Sequence, residues 1–211
     1  RMDVPVREYL AALDGLDPIT AAPLACGGLT AYRAVDHGIQ ALAPMQRQRR
    51  ALLIGVGGLG QYAIRDLRLL TNAKIIALDI AEDKRSRALE LGADEAIGPD
   101  EDIAPCDLII DFIGADITLA TAAGAVARKG MIIVVGLGGG QTNFGLGKVP
   151  PEARFMTSFW GTRQQMDELL ALARREPSLM PSVETLPLSD AQHAHNRLRE
   201  GRVAGRIVLV P

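Results

Sequence analysis

Ala51-Leu52-Leu53-Ile54-Gly55-Val56-Gly57-Gly58-Leu59-Gly60 decides how this chain folds. An unbroken apolar run, of the kind buried on both faces of a parallel sheet, leads straight into Gly55, Gly57 and Gly60 at G-x-G-x-x-G spacing. Beyond the glycines, Leu59, Ala63, Leu67 and Leu70 recur at helical spacing. In such a strand–turn–helix unit each glycine has a mechanical task. The first permits the tight turn, the second lets backbone N–H groups close on a pyrophosphate, and the third lets the helix pack against the strand. An anion at that helix N-terminus meets unpaired N–H groups and the positive end of the helix dipole.

With 22 glycines in 211 residues the spacing alone is a weak signal, and the next element gives it weight. Lys74-Ile75-Ile76-Ala77-Leu78-Asp79 reads as a second buried strand that ends in an acid, 19 residues beyond Gly60. A carboxylate there is placed to accept hydrogen bonds from the adenosine ribose hydroxyls, which points to NAD. A 2′-phosphate would be repelled, and Ile80 stands where a phosphate site usually offers Arg. The alternative is that Asp79 only caps the helix starting near Glu82.

The totals bound the rest. A formal net charge of -2 gives no electrostatic reason to expect nucleic acid or an anionic membrane as partner. No apolar run reaches membrane-spanning length, and no charged-then-apolar leader opens the chain. Two cysteines, Cys26 and Cys106, are too few for a disulfide framework, so a reduced, cytoplasmic protein is expected. The opening Arg1 to Val6 reads like the tail of a strand whose partners lie elsewhere.

Along the chain, Asp17-Pro18 is an N-cap with Pro at the first helical position. Arg47, Arg49 and Arg50 read as a solvated basic face. Glu82 to Leu91 is a charged helix ended by Gly92, and Glu95-Ala96-Ile97 is a short strand. Asp107 to Phe112 is a buried-type strand; Leu119, Ala123 and Val126 form the inner face of the next helix, stopped at Lys129-Gly130; Met131 to Val135 is another strand. A sixth strand is expected near Phe155 to Trp160. This alternation predicts an α/β fold, a Rossmann doubly wound six-stranded parallel sheet in the order 3-2-1-4-5-6. Gly138-Gly139-Gly140 opens a long loop that reads as mobile and is no P-loop, since Leu146 stands where the Lys must be. The tail has an amphipathic helix with Met166, Leu169, Leu170 and Ala173, a strand at Val183 to Leu186, a helix opened by a Ser189/Gln192 capping box, and a last strand Arg206 to Val210. These tail elements have no evident place in a six-stranded sheet and suggest a second lobe. His195 falls with Ala191, Ala194 and Leu198, which suggests half-buried packing, and Cys106 reads as structural.

Taken in order, these segments resemble the cofactor-binding half of the zinc-type, medium-chain alcohol dehydrogenases. Ala22-Pro23-Leu24-Ala25-Cys26-Gly27-Gly28-Leu29-Thr30-Ala31-Tyr32 is similar to the segment entering that family's nucleotide domain, and Ile54 to Gly60 with Asp79 and Lys84 to its NAD fingerprint. Leu91-Gly92-Ala93-Asp94, Asp111-Phe112-Ile113-Gly114, Val135-Gly136-Leu137, Phe159 to Arg163 and Gly205 to Pro211 continue the match. The resemblance implies N- and C-terminal remnants of a second, GroES-like catalytic domain around the Rossmann domain. The implied division is 1–43, the end of the catalytic lobe and a linking helix; 44–161, the NAD domain; and 162–211, the return to the catalytic lobe.

The family's chemistry is hydride transfer between an alcohol carbon and the nicotinamide, with Zn²⁺ as Lewis acid. By resemblance the cofactor residues are Gly55, Val56, Gly57, Gly58, Leu59, Gly60, Asp79, Ile80, Lys84, Phe112, Ile113, Gly114, Val135, Gly136, Leu137 and Arg206, the last neutralising the pyrophosphate. Lys84 and Arg206 also read as ordinary surface charges. Cys26 takes the position of one zinc ligand, or is a plain buried small residue; the other ligands and the proton-relay groups would lie before Arg1, so zinc is expected only if they are present, and no catalytic residue is assigned here. Phe159 and Trp160 wall a substrate pocket or pack a subunit contact. The expected partners are a small alcohol, aldehyde or ketone and a second copy, paired through the sixth strand. The competing reading is a stand-alone dinucleotide-binding or dimerisation module without catalysis. A zinc-free quinone reductase is a third, against which Cys26 and Asp79 both argue.

Overall fold

The computed structural model describes residues 10–42, 47–203 and 205–211. The expected strand tail before Val6, and the junction expected at 43–44, lie outside these residues. Six strands form one parallel sheet in the order β3-β2-β1-β4-β5-β6: β1 Arg50–Ile54, β2 Lys74–Leu78, β3 Glu95–Ile97, β4 Cys106–Asp111, β5 Val126–Val134 and β6 Arg154–Thr157. Burial follows position in the sheet. Every residue of β4 is buried, β1 and β2 are open only at their first residue, and the edge strands β3 and β6 are partly open. That is why the central strands read as continuous apolar runs.

Alternate side chains of these strands feed two cores. On one face Leu53, Ile75, Leu108, Ile110 and Ile133 pack with α2 (Gly27–Ile39), α3 (Gly60–Leu70), Ala88 of α4 (Glu82–Glu90) and Leu169, Leu170 and Leu172 of α6 (Arg163–Arg175). On the other, Leu52, Ile54, Ile76, Ile109 and Ile132 pack with Leu119, Ala122 and Ala125 of α5 (Asp116–Ala125). Each fully buried Leu or Ile contributes about 1.5–3 kcal/mol. The short α1 (Pro18–Ala21) starts at Asp17, whose carboxylate accepts from Thr20 N–H at 2.9 Å. Outside the main sheet, β7 (Val183–Pro187) and β8 (Arg206–Val210) form their own parallel pair, joined by α7 (Ala191–Arg199).

Five local expectations are corrected. Val126 is the first residue of β5 and not part of a helix face; Lys129 takes φ 64° within that strand, and the pairing register shifts between Cys106 and Leu108. The sixth strand ends at Thr157, with Phe159 and Trp160 beyond it and exposed. His195 and Leu198 are solvent-facing, so only Ala194 of α7 is buried. Ser189 Oγ bonds Asp190 Oδ1, and α7 has no side-chain cap. Arg47 and Arg49 are no free basic face: both guanidinium groups reach Asp107 Oδ1 at 2.6 Å, and Arg50 N–H donates to Asp107 Oδ2 at 3.0 Å. Burial works to raise the Asp107 pKa, but these donors outweigh it and hold the carboxyl below its ordinary range.

One buried acid lacks such donors. Asp66 of α3 is fully buried, and neither carboxylate oxygen has a hydrogen-bond partner among the described residues. Burial pushes its pKa well above 3.8, with Arg65 as the opposing cation. The folded state therefore keeps a proton that the unfolded chain releases, and stability falls as pH rises from the unfolded pKa toward the folded one. Urea unfolding at pH 5 and pH 8 checks this: the protein is expected to lose stability between the two, and Asp66→Asn to remove most of that loss. Equal pH profiles for protein and variant would refute it.

Candidate cofactor site

The order of the strands reverses between β1 and β4, and ligands of open α/β sheets bind at such a point, outside the carboxyl ends of the strands. The backbone there continues the sheet for one further rung, with Gly55 N–H donating to Leu78 O at 2.8 Å, Phe112 N–H to Ile54 O at 2.9 Å and Val135 N–H to Asp111 O at 2.8 Å. Asp111 Oδ1 then accepts from Ile113 and Gly114 N–H at 2.8 and 3.0 Å. Phe112 to Gly114 and Val135 to Leu137 are thus neighbouring tips over the sheet, with Ile113 44% and Leu137 86% exposed.

The three fingerprint glycines differ in their surroundings. Gly55 turns the chain at φ 88°. A Cβ on Gly60 would overlap the Gly55 carbonyl oxygen, so the start of α3 sits against the end of β1. A Cβ on Gly57 would meet nothing within 4 Å, which leaves open space directly above the turn. Leu59 and Gly60 begin α3, and the N-cap makes no side-chain hydrogen bond to the first N–H groups. Asp79 stands beside this turn. Its Oδ2 accepts from Val56 N–H at 2.8 Å and its Oδ1 from Ala81 N–H at 3.0 Å, so it holds both the glycine turn and the start of α4. Ala81 is the N-cap of α4 and no side chain caps that helix, so Asp79 is not its cap; each Asp79 oxygen keeps a further lone pair. Ile80, next in the chain, is 81% exposed, and Lys84 lines a recess with Gly57 and Gly58 and makes no ion pair among the described residues.

Arg206, the first residue of β8, comes back to this turn from the far end of the sequence. Its guanidinium lies between Gly27, where a Cβ would overlap Nη2, and Gly58, where a Cβ would come within 2.7 Å of Cζ. The Tyr62 ring lies 6.0 Å from Arg206 Cζ. Arg206 Nε and Nη2 are buried and have no hydrogen-bond partner among the described residues. A buried guanidinium without an acceptor is costly, and this one faces the positive end of α3. Open space above Gly57, an α3 start without a side-chain cap and a cation beside Gly58 are surroundings that suit an anion. The sequence did not point to Gly27 or Tyr62; nothing local in either stretch signals contact with a residue near the C-terminus.

Cys26 is exposed at the N-terminus of α2 and shares a cleft of about 360 Å³ with Gly27, Leu59, Arg206 and Ile207. The expectation of a buried small residue is corrected. Among the described residues no three of His, Cys, Asp or Glu converge to hold a metal, and one thiolate does not make a tight zinc site. This donor set does not by itself fit zinc. Phe159 and Trp160, 68% and 55% exposed, meet edge to face with centroids 6.0 Å apart.

With this geometry in place, residues 58–175 match the family model described as zinc-binding dehydrogenase. The chain belongs to that family. It is 32% identical to an NAD-dependent alcohol dehydrogenase of Sulfolobus acidocaldarius over 98% of this chain and 62% of the relative. The solved alcohol dehydrogenase of Aeropyrum pernix superposes with a TM-score of 0.79 at 32% identity, over 91% of this chain and 58% of that one. The acetophenone reductase of Geotrichum candidum in complex with NAD gives 0.81 at 27% identity, over 94% and 57%. This zinc-binding dehydrogenase chain thus spans about three fifths of the length of such relatives. Among its described residues no helix is long and apolar enough to cross a membrane.

Proposed function

We propose that the chain holds NAD across the carboxyl ends of its central strands, as the cofactor part of an oxidoreductase that moves a hydride between an alcohol carbon and the nicotinamide. The observation that carries this reading is Arg206 beside Gly58 and the first turn of α3, with its Nε and Nη2 buried and without a hydrogen-bond partner among the described residues. In this reading Gly55 to Gly60 and Arg206 take the diphosphate, Asp79 the adenosine ribose, and Ile80 and Lys84 the adenosine flank. Phe112, Ile113, Gly114, Val135, Gly136 and Leu137 receive the nicotinamide half. Leu137, Phe159 and Trp160 give the reacting end an apolar wall that keeps water from the transferred hydride. Bound NAD supplies the hydride acceptor, and the residues here bind and orient it. Cys26 would contribute one thiolate to zinc if further ligands complete the set.

The same reading keeps three parts, 1–43, 44–161 and 162–211, with the outer two belonging to a catalytic lobe. A dinucleotide-binding module without catalysis of its own is the second reading. Alcohol-dependent formation of NADH by the protein separates the two.

The cofactor claim is tested by calorimetry with NADH and NADPH. NADH is expected to bind at least about tenfold more tightly, a difference of about 1.4 kcal/mol, and Asp79→Ala to erase the preference. Gly57→Ala, whose Cβ clashes with nothing in the chain, is expected to fold and lose NADH binding. Equal affinity for both cofactors, or an unchanged Gly57→Ala, would sink the assignment.

The dimer rests on the β6 edge. Ser158 N–H donates to Val134 O, so by strand alternation Met156 also faces β5 while Phe155 and Thr157 turn their backbone groups to the open edge. Phe144 covers part of that edge, its ring 5.4 Å from Phe155. An unpaired apolar edge favours pairing with a second copy across a two-fold axis. Sedimentation is expected to show a dimer, and Thr157→Pro, which removes an outward N–H, a monomer. A monomeric protein, or a dimer that survives Thr157→Pro, would count against this contact.

A further inference from the structure

The Arg206 guanidinium is held by shape, since among the described residues no counter-ion holds it. A long cationic side chain loses about 2 kcal/mol of rotamer entropy when fixed in one place, and bonds to an acid usually offset that loss. Here the small recess around the guanidinium, about 10 Å³, is lined by Gly58, Gln61, Tyr62, Arg65 and Ser182, with no acid among them. Arg65 is itself a cation, and its Nη1 is committed to the carbonyl oxygen of Met180 at 3.0 Å. It can only repel Arg206.

What remains is a slot with three walls. Gly27 at the start of α2 and Gly58 in the turn close two sides, each without a Cβ because the guanidinium occupies that space. The Tyr62 ring is the third wall, 6.0 Å from Cζ and at the outer reach of a cation–π contact. Tyr62 is 2% exposed and sits in the first turn of α3, so the ring is fixed by the helix that follows the glycine turn. Its hydroxyl is buried and makes no hydrogen bond among the described residues, while burial pushes the phenol up to about 12 against the opposing charge of Arg206. The hydroxyl stays neutral, and Arg206 beside it works against the effect of burial. The ring lies 6.0 Å from the cation.

We propose that Tyr62 is a positioning residue whose ring fixes the Arg206 guanidinium between Gly27 and Gly58, where it receives the cofactor diphosphate. Tyr62 touches no part of the cofactor and acts only through Arg206. The proposal rests on the cofactor reading above and adds to it the element that sets the diphosphate subsite. Without that wall the guanidinium regains its rotamers and must be ordered again at each binding event, so the loss falls on ligands that carry a diphosphate.

Calorimetry with ADP and with adenosine, on the whole protein, tests this. Tyr62→Leu is expected to weaken ADP about tenfold, the scale of a desolvated cation–π contact, and to leave adenosine unchanged. Tyr62→Phe keeps the ring and is expected to stay within about twofold of the protein itself for both ligands. Tyr62→Met, a flexible apolar filler, carries the expectation of Tyr62→Leu should that variant not fold. ADP affinity untouched by Tyr62→Leu, a parallel loss of ADP and adenosine, or a Tyr62→Phe as weak as Tyr62→Leu each overturns the role of Tyr62. Failure of the protein itself to bind either ligand overturns the cofactor reading and this proposal with it.

Discussion

Positive potential converges on one small space, and the rest of the structure is arranged around it. The first turn of α3 has no side-chain cap, with Gln61 and Tyr62 N–H donating to Gly57 O and Leu59 O, the Gly57 surface is open, and Arg206 brings a full cation whose Nε and Nη2 are buried and unpartnered among the described residues. A buried cation without an acceptor is unfavourable in isolation. In the proposed reading an anion with two linked phosphates meets the turn and the cation together, and the parallel sheet is what sets them on one rim. All six strands run the same way, so every carboxyl end, and every turn that follows one, lies on one rim.

Asp79 links this rim to the turn. Its carboxylate accepts from Val56 N–H inside the glycine turn and from Ala81 N–H just before α4, so the same side chain sets the shape of both turns. These bonds leave lone pairs for the sugar hydroxyls that the proposed reading assigns to it. Arg206 provides the second link, from the separate β7–β8 pair to the Rossmann sheet. Its guanidinium enters only because Gly27 and Gly58 lack side chains, which ties the C-terminal strand to both α2 and the fingerprint.

The central strands were legible because residues buried on both faces leave a continuous apolar run, as in Leu52 to Ile54 and Leu108 to Ile110. The glycine turn was legible because its spacing is set by steric needs that recur in any such unit. The α5–β5 junction was not. Ala122 to Ala127 is a run of small residues that suits either period, and the register shift with Lys129 at φ 64° has no local signature. Phe159 and Trp160 look strand-like but stand on the open rim past the last paired residue. Arg47 and Arg49 find Asp107 some sixty residues away, and Arg206 finds Tyr62 across most of the chain. Contacts of that range are made by topology, and a local reading of charge saw only surface.

The most direct measurement is the proton–nitrogen spectrum of this 22.5 kDa chain during titration with NADH. The backbone amides of Gly57, Gly58, Leu59 and Gly60 and the side-chain Nε–H of Arg206 are expected to shift together and saturate on one curve. NADH that binds while the Arg206 Nε–H stays where it was would contradict a diphosphate held by that guanidinium.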